Sequence, residues 1–218
     1  MNSSQALFSL RLSRLVELCG GGDTLWDIGC DHGLAGLLAG KSGAFKHICF
    51  VDTSSLVIGK LRHTLTSDIP KGFSFSIHEV RGEQIKVIHP NNVFLMAGFG
   101  GKAIIESVTA ISSQLHVPNR FVLAPHRDNL AVRDFLQRAD WHLVTEEIIE
   151  ENEQFYEVLV VESRSGVRVS RFGEQQWQTP IGIRRRDDLL KKLSIHRNPL
   201  DQDFVKHLLN LQNSSKTP

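Results

Sequence analysis

Three acids, Asp27, Asp52 and Glu83, each follow a short apolar run, and glycines at 29, 33 and 36 follow the first of them. The stretch Thr24-Leu25-Trp26-Asp27-Ile28-Gly29-Cys30-Asp31-His32-Gly33 runs directly into the helix formers Leu34-Ala35-Gly36-Leu37-Leu38-Ala39. This reads as a buried strand, a tight turn and a helix. In an open α/β sheet that turn is where a nucleotide-like ligand is held. The spacing Gly29-x-x-x-Gly33-x-x-Gly36 breaks the G-x-G-x-x-G pattern that cradles a dinucleotide pyrophosphate. Asp27, inside the turn, would repel a pyrophosphate and attract an amino group. Backbone N–H groups at the helix start can take a carboxylate.

Asp52, with Thr53 beside it, ends the second apolar run, where an acid accepts hydrogen bonds from both ribose hydroxyls. Glu83, after Gly82, is placed to meet an adenine amino group. A ligand with an ammonium, a carboxylate, a ribose and an adenine but no phosphate is S-adenosylmethionine. Asp27 then orients either the ammonium or the turn itself.

The elements that must position these residues alternate. Residues 3–19 form a helix stopped by Gly20-Gly21-Gly22. Strands are expected at 24–28, 47–52, 73–77, 92–97 and 120–124. Helices are expected at about 34–41, 54–65, 101–111 and 129–138, with a short helical turn around 84–88. Two strands in succession, Trp141–Ile149 and Gln154–Glu162, close the series through the acidic turn Glu150-Glu151-Asn152-Glu153. Strict alternation implies parallel strands with right-handed crossovers. The expected fold is therefore α/β: a Rossmann-like class I methyltransferase with a seven-stranded, mostly parallel sheet, one antiparallel strand and a short C-terminal helical extension. Residues 1–162 form the methyltransferase domain. Residues 163–218 form a linker, to about 183, and a small basic pair of helices, Arg184–His196 and Pro199–Gln212.

The residues match one family in particular. Asp27-Ile28-Gly29-Cys30-Asp31-His32, Asp52, Gly82-Glu83, Ala97-Gly98-Phe99-Gly100-Gly101 and Phe155-Tyr156-Glu157-Val158-Leu159-Val160 resemble the bacterial tRNA (adenine-22-N1)-methyltransferase family. The resemblance implies binding of S-adenosylmethionine, methylation of ring nitrogen N1 of an adenosine in tRNA, and a C-terminal helical part that helps hold the tRNA. The implied cofactor contacts are Asp27, Gly29, Cys30, Asp31, His32, Asp52, Thr53, Gly82, Glu83, Ala97 and Gly98. Two departures stand out. Ala124-Pro125-His126 replaces the family's Gln-Pro-Asn-like turn, and the C-terminal part is short.

Asp31 is the catalytic candidate, since a carboxylate there can stabilise the charge that the methylated base acquires or accept its N6 proton. The alternative is that Asp31 caps the next helix. Phe99 either stacks on the base or is ordinary core, and Gly100 and Gly101 let a flat base approach the backbone. Pro125 and His126 border the target pocket. His126 and His32 are each read either as substrate contacts or as makers of local hydrogen bonds. Tyr156 is core or pocket wall. The target base must be exposed or flipped out.

Composition narrows the class. The chain has 218 residues, 41% hydrophobic and 22% charged, as in a globular domain with an appendage. No stretch approaches the roughly 20 apolar residues of a membrane span, and no signal peptide is read at the N-terminus. Three cysteines without a CxxC spacing fit a reducing, cytoplasmic setting with no disulfides and no metal. Residues 1–162 carry 14 Lys/Arg and 19 Asp/Glu, a balance of 14 − 19 = −5. Residues 163–218 carry 11 and 5, a balance of 11 − 5 = +6. A basic tail suggests a polyanion partner or a solvated helix pair. Arg184, Arg185, Arg186, Lys191 and Lys192 are the candidate phosphate contacts. Partners expected are tRNA, with no protein partner and a monomeric state. The competing functions are a methyltransferase for a small molecule or protein, and a non-catalytic RNA-binding relative.

Overall fold

The structure, a computed structural model, describes residues 9–67, 74–87, 91–115, 119–164, 166–195 and 201–214. Leu7, Phe73, Ile88, His196 and Pro199, all within expected elements, lie outside the described residues, as do residues 215–218.

Five strands form the parallel part of one sheet: β1 (Gly22–Ile28), β2 (Phe45–Asp52), β3 (Phe75–Glu79), β4 (Asn92–Ala97) and β5 (Arg120–Ala124). Two long strands follow, β6 (His142–Glu151) and β7 (Gln154–Glu162), and then a two-residue strand, β8 (Val167–Arg168). The order across the sheet is β3-β2-β1-β4-β5-β7-β6-β8. β7 runs antiparallel to β5 and to β6, and β8 antiparallel to β6. The expected seven-strand plan with its reversed β7 is present, and β8 adds an eighth strand, also reversed. The β6–β7 hairpin turns on Asn152 and Glu153 alone, at φ of 51° and 61°. Positive φ at both central residues is what a two-residue hairpin demands.

The central strands are apolar on both faces because helices cover both. Along β4, Val93 and Leu95 join one core cluster while Phe94 and Met96 join the other. The first face takes α1 (Leu10–Cys19), α2 (Leu34–Ser42) and α3 (Ser55–Ser67), through Leu15, Leu37 and Leu61. The second takes α4 (Gly101–Ser112) and α5 (Asn129–Arg138), through Ile104, Val108, Val132 and Leu136. The spacing of Ile104, Val108 and Ile111 is one stripe of a helix, which is why this segment buries that side. At the start of α1, the Ser9 hydroxyl accepts the Leu12 N–H at 3.2 Å.

The stretch 163–183, read as a linker, is packed down instead. It carries β8 and buries Val169, Gln176 and Trp177. Two helices end the described chain, α6 (Pro180–Ile195) and α7 (Gln202–Ser214), so the first begins four residues earlier than expected. A small third core of Ile148, Trp177, Phe204 and Leu208 ties them to β6. The tie is also ionic. Fully buried Arg133 meets Glu146 at 2.7 Å and Glu157 at 3.7 Å, and donates to the Ser170 carbonyl at 3.2 Å. Glu146 in turn accepts the backbone N–H groups of Glu174 at 2.9 Å and Gln175 at 3.1 Å.

Removing the cation from that network leaves two buried carboxylates. Arg133→Met is expected to cost about 3–5 kcal/mol of stability in urea unfolding. Adding Glu146→Gln and Glu157→Gln to Arg133→Met should recover part of that loss. A single variant as stable as the parent would show that the network carries no such role.

Candidate functional site at the tips of β1 and β4

The strand order reverses between β1 and β4: the chain leaves β1 towards β2 and β3, then returns to β4 and continues to β5. Ligand crevices of doubly wound sheets lie outside the carboxyl ends of the strands at such a point. A cavity of about 440 Å³ lies there, lined by Asp27, Gly29, Cys30, Asp31, His32, Leu34, Ala35, Ala97 and Gly98. A smaller cleft of about 80 Å³, lined by Val51, Asp52, Thr53, Val80, Gly82 and Phe99, shares Gly29 with it. The Phe99 ring lies on the Gly29 backbone, where a Cβ would stand 2.2 Å from the ring. Phe99 therefore walls the smaller cleft against the Gly29 backbone that both spaces share.

Asp27 is buried, and its Oδ2 accepts the Gly36 N–H at 2.8 Å. Burial pushes its carboxyl up to about 7; the Gly36 hydrogen bond opposes that shift, and the charge of Asp52 adds to it. Asp52 accepts the Ser54 N–H at 2.9 Å and the Asp31 N–H at 3.3 Å, so it locks the β1 turn to the β2 turn. Asp31, at φ 48°, stands on the cavity rim with its side chain 71% exposed, 3.7 Å from His32. The residue that caps α2 is Gly33, with no side-chain hydrogen bond, so the helix-cap reading of Asp31 is set aside. Cys30 is buried, and burial drives its thiol well above the ordinary range, so it stays protonated and is no nucleophile. Glu83 lies in a short 3₁₀ turn beside the smaller cleft, 3.8 Å from Arg81.

Gly98, at φ 84°, has open space where a Cβ would be, so the backbone itself faces the crevice. Gly100 and Gly101 do something other than admit a base. Gly101 N–H donates to the Arg127 carbonyl at 3.1 Å, and a Cβ there would meet Asp128 at 2.8 Å. Gly100 bridges Arg127, and His126 N–H donates to the Phe99 carbonyl at 2.7 Å. The two glycines join the β4 and β5 turns into one wall. Pro125 is buried in that wall and the His126 side chain is exposed.

The C-terminal cations are not an open patch. Arg184 pairs with Glu150, Arg185 with Asp188 at 3.1 Å and Lys192 with Asp188 at 2.9 Å. Arg186 is buried and pairs with Asp187 at 3.0 Å. Lys191 is exposed and is also engaged within the chain. These five residues lie on α6 and line neither the crevice nor the cleft.

Several lining residues were missed from sequence, Ser9, Leu12, Leu15, Leu34, Ala35 and Leu95 among them, and one of those missed is charged. Arg11, on α1, reaches the cavity, stacks its guanidinium over Tyr156 at 4.2 Å and pairs with Glu151 at 3.9 Å. Its Nε is buried with no hydrogen-bond partner. Tyr156 is thus the shelf for a cavity cation. The crevice is lined by both a buried acid, Asp27, and a cation, Arg11.

A doubly wound sheet with a reversed last long strand and strand-end acids at its switch point is the architecture of class I methyltransferases. The chain belongs to the methyltransferase-domain family, whose model matches residues 8–159. A Bacillus subtilis relative named tRNA (adenine(22)-N(1))-methyltransferase is 27% identical over 161 residues, 71% of this chain and 65% of that protein. A Mycoplasma genitalium protein provisionally named a tRNA methyltransferase is 28% identical over 144 residues, 63% of this chain and 61% of that one. The chain thus spans a little under two thirds of these curated relatives. Among solved structures, Streptococcus pneumoniae Sp1610 in complex with S-adenosyl-L-methionine superposes with a TM-score of 0.79. The two are 21% identical over 95% of this chain and 99% of that one, a likeness of fold.

The Asp27 carboxyl makes stability depend on pH. Its folded-state value is raised, so its contribution is complete below about pH 4 and is lost as pH rises through about 7. Urea unfolding should show the parent losing about 2–3 kcal/mol between pH 5 and pH 8 relative to Asp27→Asn. Parallel pH profiles for the two proteins would refute this assignment.

Proposed function

We propose that this protein transfers the methyl group of S-adenosylmethionine to N1 of an adenine in tRNA, the adenine at position 22. The single observation that carries the reading is the crevice, lined by an acid and a cation beside glycine backbone at the switch point. The Bacillus relative's name supplies the substrate and the position.

The residues fit the cofactor. Its volume of about 440 Å³ puts the crevice within the roughly 300–1,000 Å³ of small-ligand sites. Asp27, buried near its neutral point, gains a counter-charge from the ligand's ammonium. The Arg11 guanidinium, which lines the crevice, and the first N–H groups of α2 at Leu34 and Ala35 would receive its carboxylate. Asp52 and Thr53, on the smaller cleft, would hold the ribose hydroxyls, and Val51, Val80 and Gly82 would pack against the adenine, with Glu83 to accept from its amino group. When bound, the cofactor supplies a methyl group activated by a sulfonium.

The chain's own task is then positioning and charge. Ring nitrogen N1 has an in-plane lone pair, so no base is needed before attack. Methylation leaves positive charge on the adenine. Asp31, exposed on the rim and free of a capping duty, stabilises that charge or takes the N6 proton. The wall built from Gly98, Phe99, Pro125 and His126 borders the flipped base. On this reading the protein works in the cytoplasm as a monomer. Among the described residues no helix is long and apolar enough to cross a membrane.

A second reading is methyl transfer to a small molecule or a protein. The internal pairing of Arg184, Arg185 and Arg186 favours it, because the tail offers RNA less free charge than its composition suggests.

Mass spectrometry of oligonucleotide fragments of tRNA from cells lacking the protein separates the two. The first reading expects N1-methyladenosine at position 22 to vanish, to return with the wild type and to stay absent with Asp31→Ala; unchanged tRNA would sink it. In vitro, Asp31→Asn should lower kcat by about 100-fold or more with the Kd for S-adenosylmethionine within twofold. Arg11→Gln should weaken that Kd by about 10–100-fold, yet leave binding of decarboxylated S-adenosylmethionine unchanged. Equal losses for both ligands would remove Arg11 from the carboxylate role.

A further inference from the structure

Glu151 stands 140 residues from Arg11 in sequence, yet both of its carboxylate oxygens reach that residue. We infer that Glu151 is a positioning residue for the methyl donor: it fixes Arg11 in the crevice and so sets the grip on the donor's carboxylate; this rests on the cofactor reading above.

The β6 strand prepares the contact. Its run Glu146-Glu147-Ile148-Ile149-Glu150-Glu151 alternates as a strand must. Glu146, Ile148 and Glu150 turn to Arg133, to the third core and to Arg184. Glu147, Ile149 and Glu151 turn to the face that α1 covers, where Ile149 shares a core with Leu15. A strand from late in the chain thus carries two acids against the helix that gives the crevice Arg11, Leu12 and Leu15.

The two acids do different things. Glu147 takes the Arg14 guanidinium at 2.8 and 2.9 Å, and Arg14 also holds Glu17 at 2.9 Å. Arg14 does not line the crevice, so that pair is a fastening alone. Glu151 Oε1 accepts the Arg11 backbone N–H at 3.0 Å, an amide in the first turn of α1 that has no acceptor within the helix. Its charge also lies at the positive end of that helix. Glu151 Oε2 stands 3.9 Å from the Nε of the same arginine. One carboxylate therefore references both the backbone and the side chain of Arg11, whose guanidinium rests on the Tyr156 ring.

The tie at Nε is charge and not a hydrogen bond. Nε is buried with no hydrogen-bond partner, and 3.9 Å is too long for one. The Glu151 side chain is only 17% exposed, so solvent screens this attraction less than that of a surface pair. Nε is also the guanidinium atom nearest the acid. The two terminal Nη groups lie further from it and keep their donors for a ligand's carboxylate. An arginine already held in place loses less side-chain freedom when the ligand arrives.

Isothermal titration of the full chain with S-adenosylmethionine and with its decarboxylated form tests this. Glu151→Gln keeps an acceptor for the Arg11 N–H and loses the charge. It is expected to weaken S-adenosylmethionine about three- to fivefold and to leave the decarboxylated ligand within twofold. In tRNA methylation, KM for S-adenosylmethionine should rise by the same factor with kcat unchanged. In an Arg11→Gln background the same substitution should change neither Kd by more than twofold, because its partner is gone. Glu151→Asp, which keeps the charge, should bind S-adenosylmethionine more tightly than Glu151→Gln does. Glu147→Gln should lower Tm and leave both Kd values within twofold. Glu151→Gln is isosteric at a partly exposed site, so it keeps the fold, and a thermal melt checks that. Parent-like affinity in Glu151→Gln overturns the inference. So does tighter binding, which marks Glu151 as a rival for the guanidinium, and so do equal losses for the two ligands, which mark a fastening like that of Glu147. A wild-type protein that gives no heat with either ligand overturns the cofactor reading itself, and this inference with it.

Discussion

The bond from the Gly36 N–H to the Asp27 carboxylate is the constraint on which the site depends. It fastens the first turn of α2 to the last turn of β1, and it does so from inside the core. A carboxylate there is costly to bury, and one backbone hydrogen bond offsets only part of the cost. The remainder is a standing demand for positive charge at the crevice. Asp52, which ties the β1 and β2 turns together, adds a second negative centre to the same wall. The fold thus keeps an electrostatic deficit at its switch point, where a cationic ligand can relieve it.

The far half of the molecule is held by a different device. Arg133 sits between Glu146 and Glu157, and Glu146 reaches on to the backbone of residues 174 and 175. Further pairs join tail to body: Arg171 to Asp134 at 2.9 Å, Arg168 to Asp140 at 3.1 Å and Arg184 to Glu150. The acidic body and the basic tail are therefore complementary to each other. Much of the charge asymmetry is spent inside the chain, and an open cation at the crevice wall, Arg127, belongs to the body.

Much of this was legible in the residues, and the exceptions have physical causes. The five parallel strands and the β6–β7 pair are short apolar runs between turn residues, so local pattern alone located them. Asp27, Asp52 and Gly82 were found because strand ends in this topology must converge. Asp31 as a helix cap was a fair reading of an Asp beside a helix, but Gly33 stands in the capping position. Gly100 and Gly101 looked like room for a base; only the approach of Asp128 and Arg127 reveals that two turns occupy that room. Arg11 carried no signal, since an Arg on the first turn of an amphipathic helix is ordinary. The packing of residues 166–178 was equally hidden, because its partners Arg133, Glu146 and Glu157 lie far back in the sequence.

β8 is two residues long, yet it decides how the sheet ends. β6 is ten residues of extended chain, paired with β7 on one side along its length except at a bulge at Val144. On its other side β8 covers His142 and Leu143, and residues 170–178 and α6 lie along the rest. Without them a long row of N–H and C=O groups would face solvent, a template for pairing with another copy's strand. The C-terminal segment is thus the sheet's selvedge. A chain cut after residue 162 would not be a smaller version of this protein but a sheet with an unfinished side, prone to self-association.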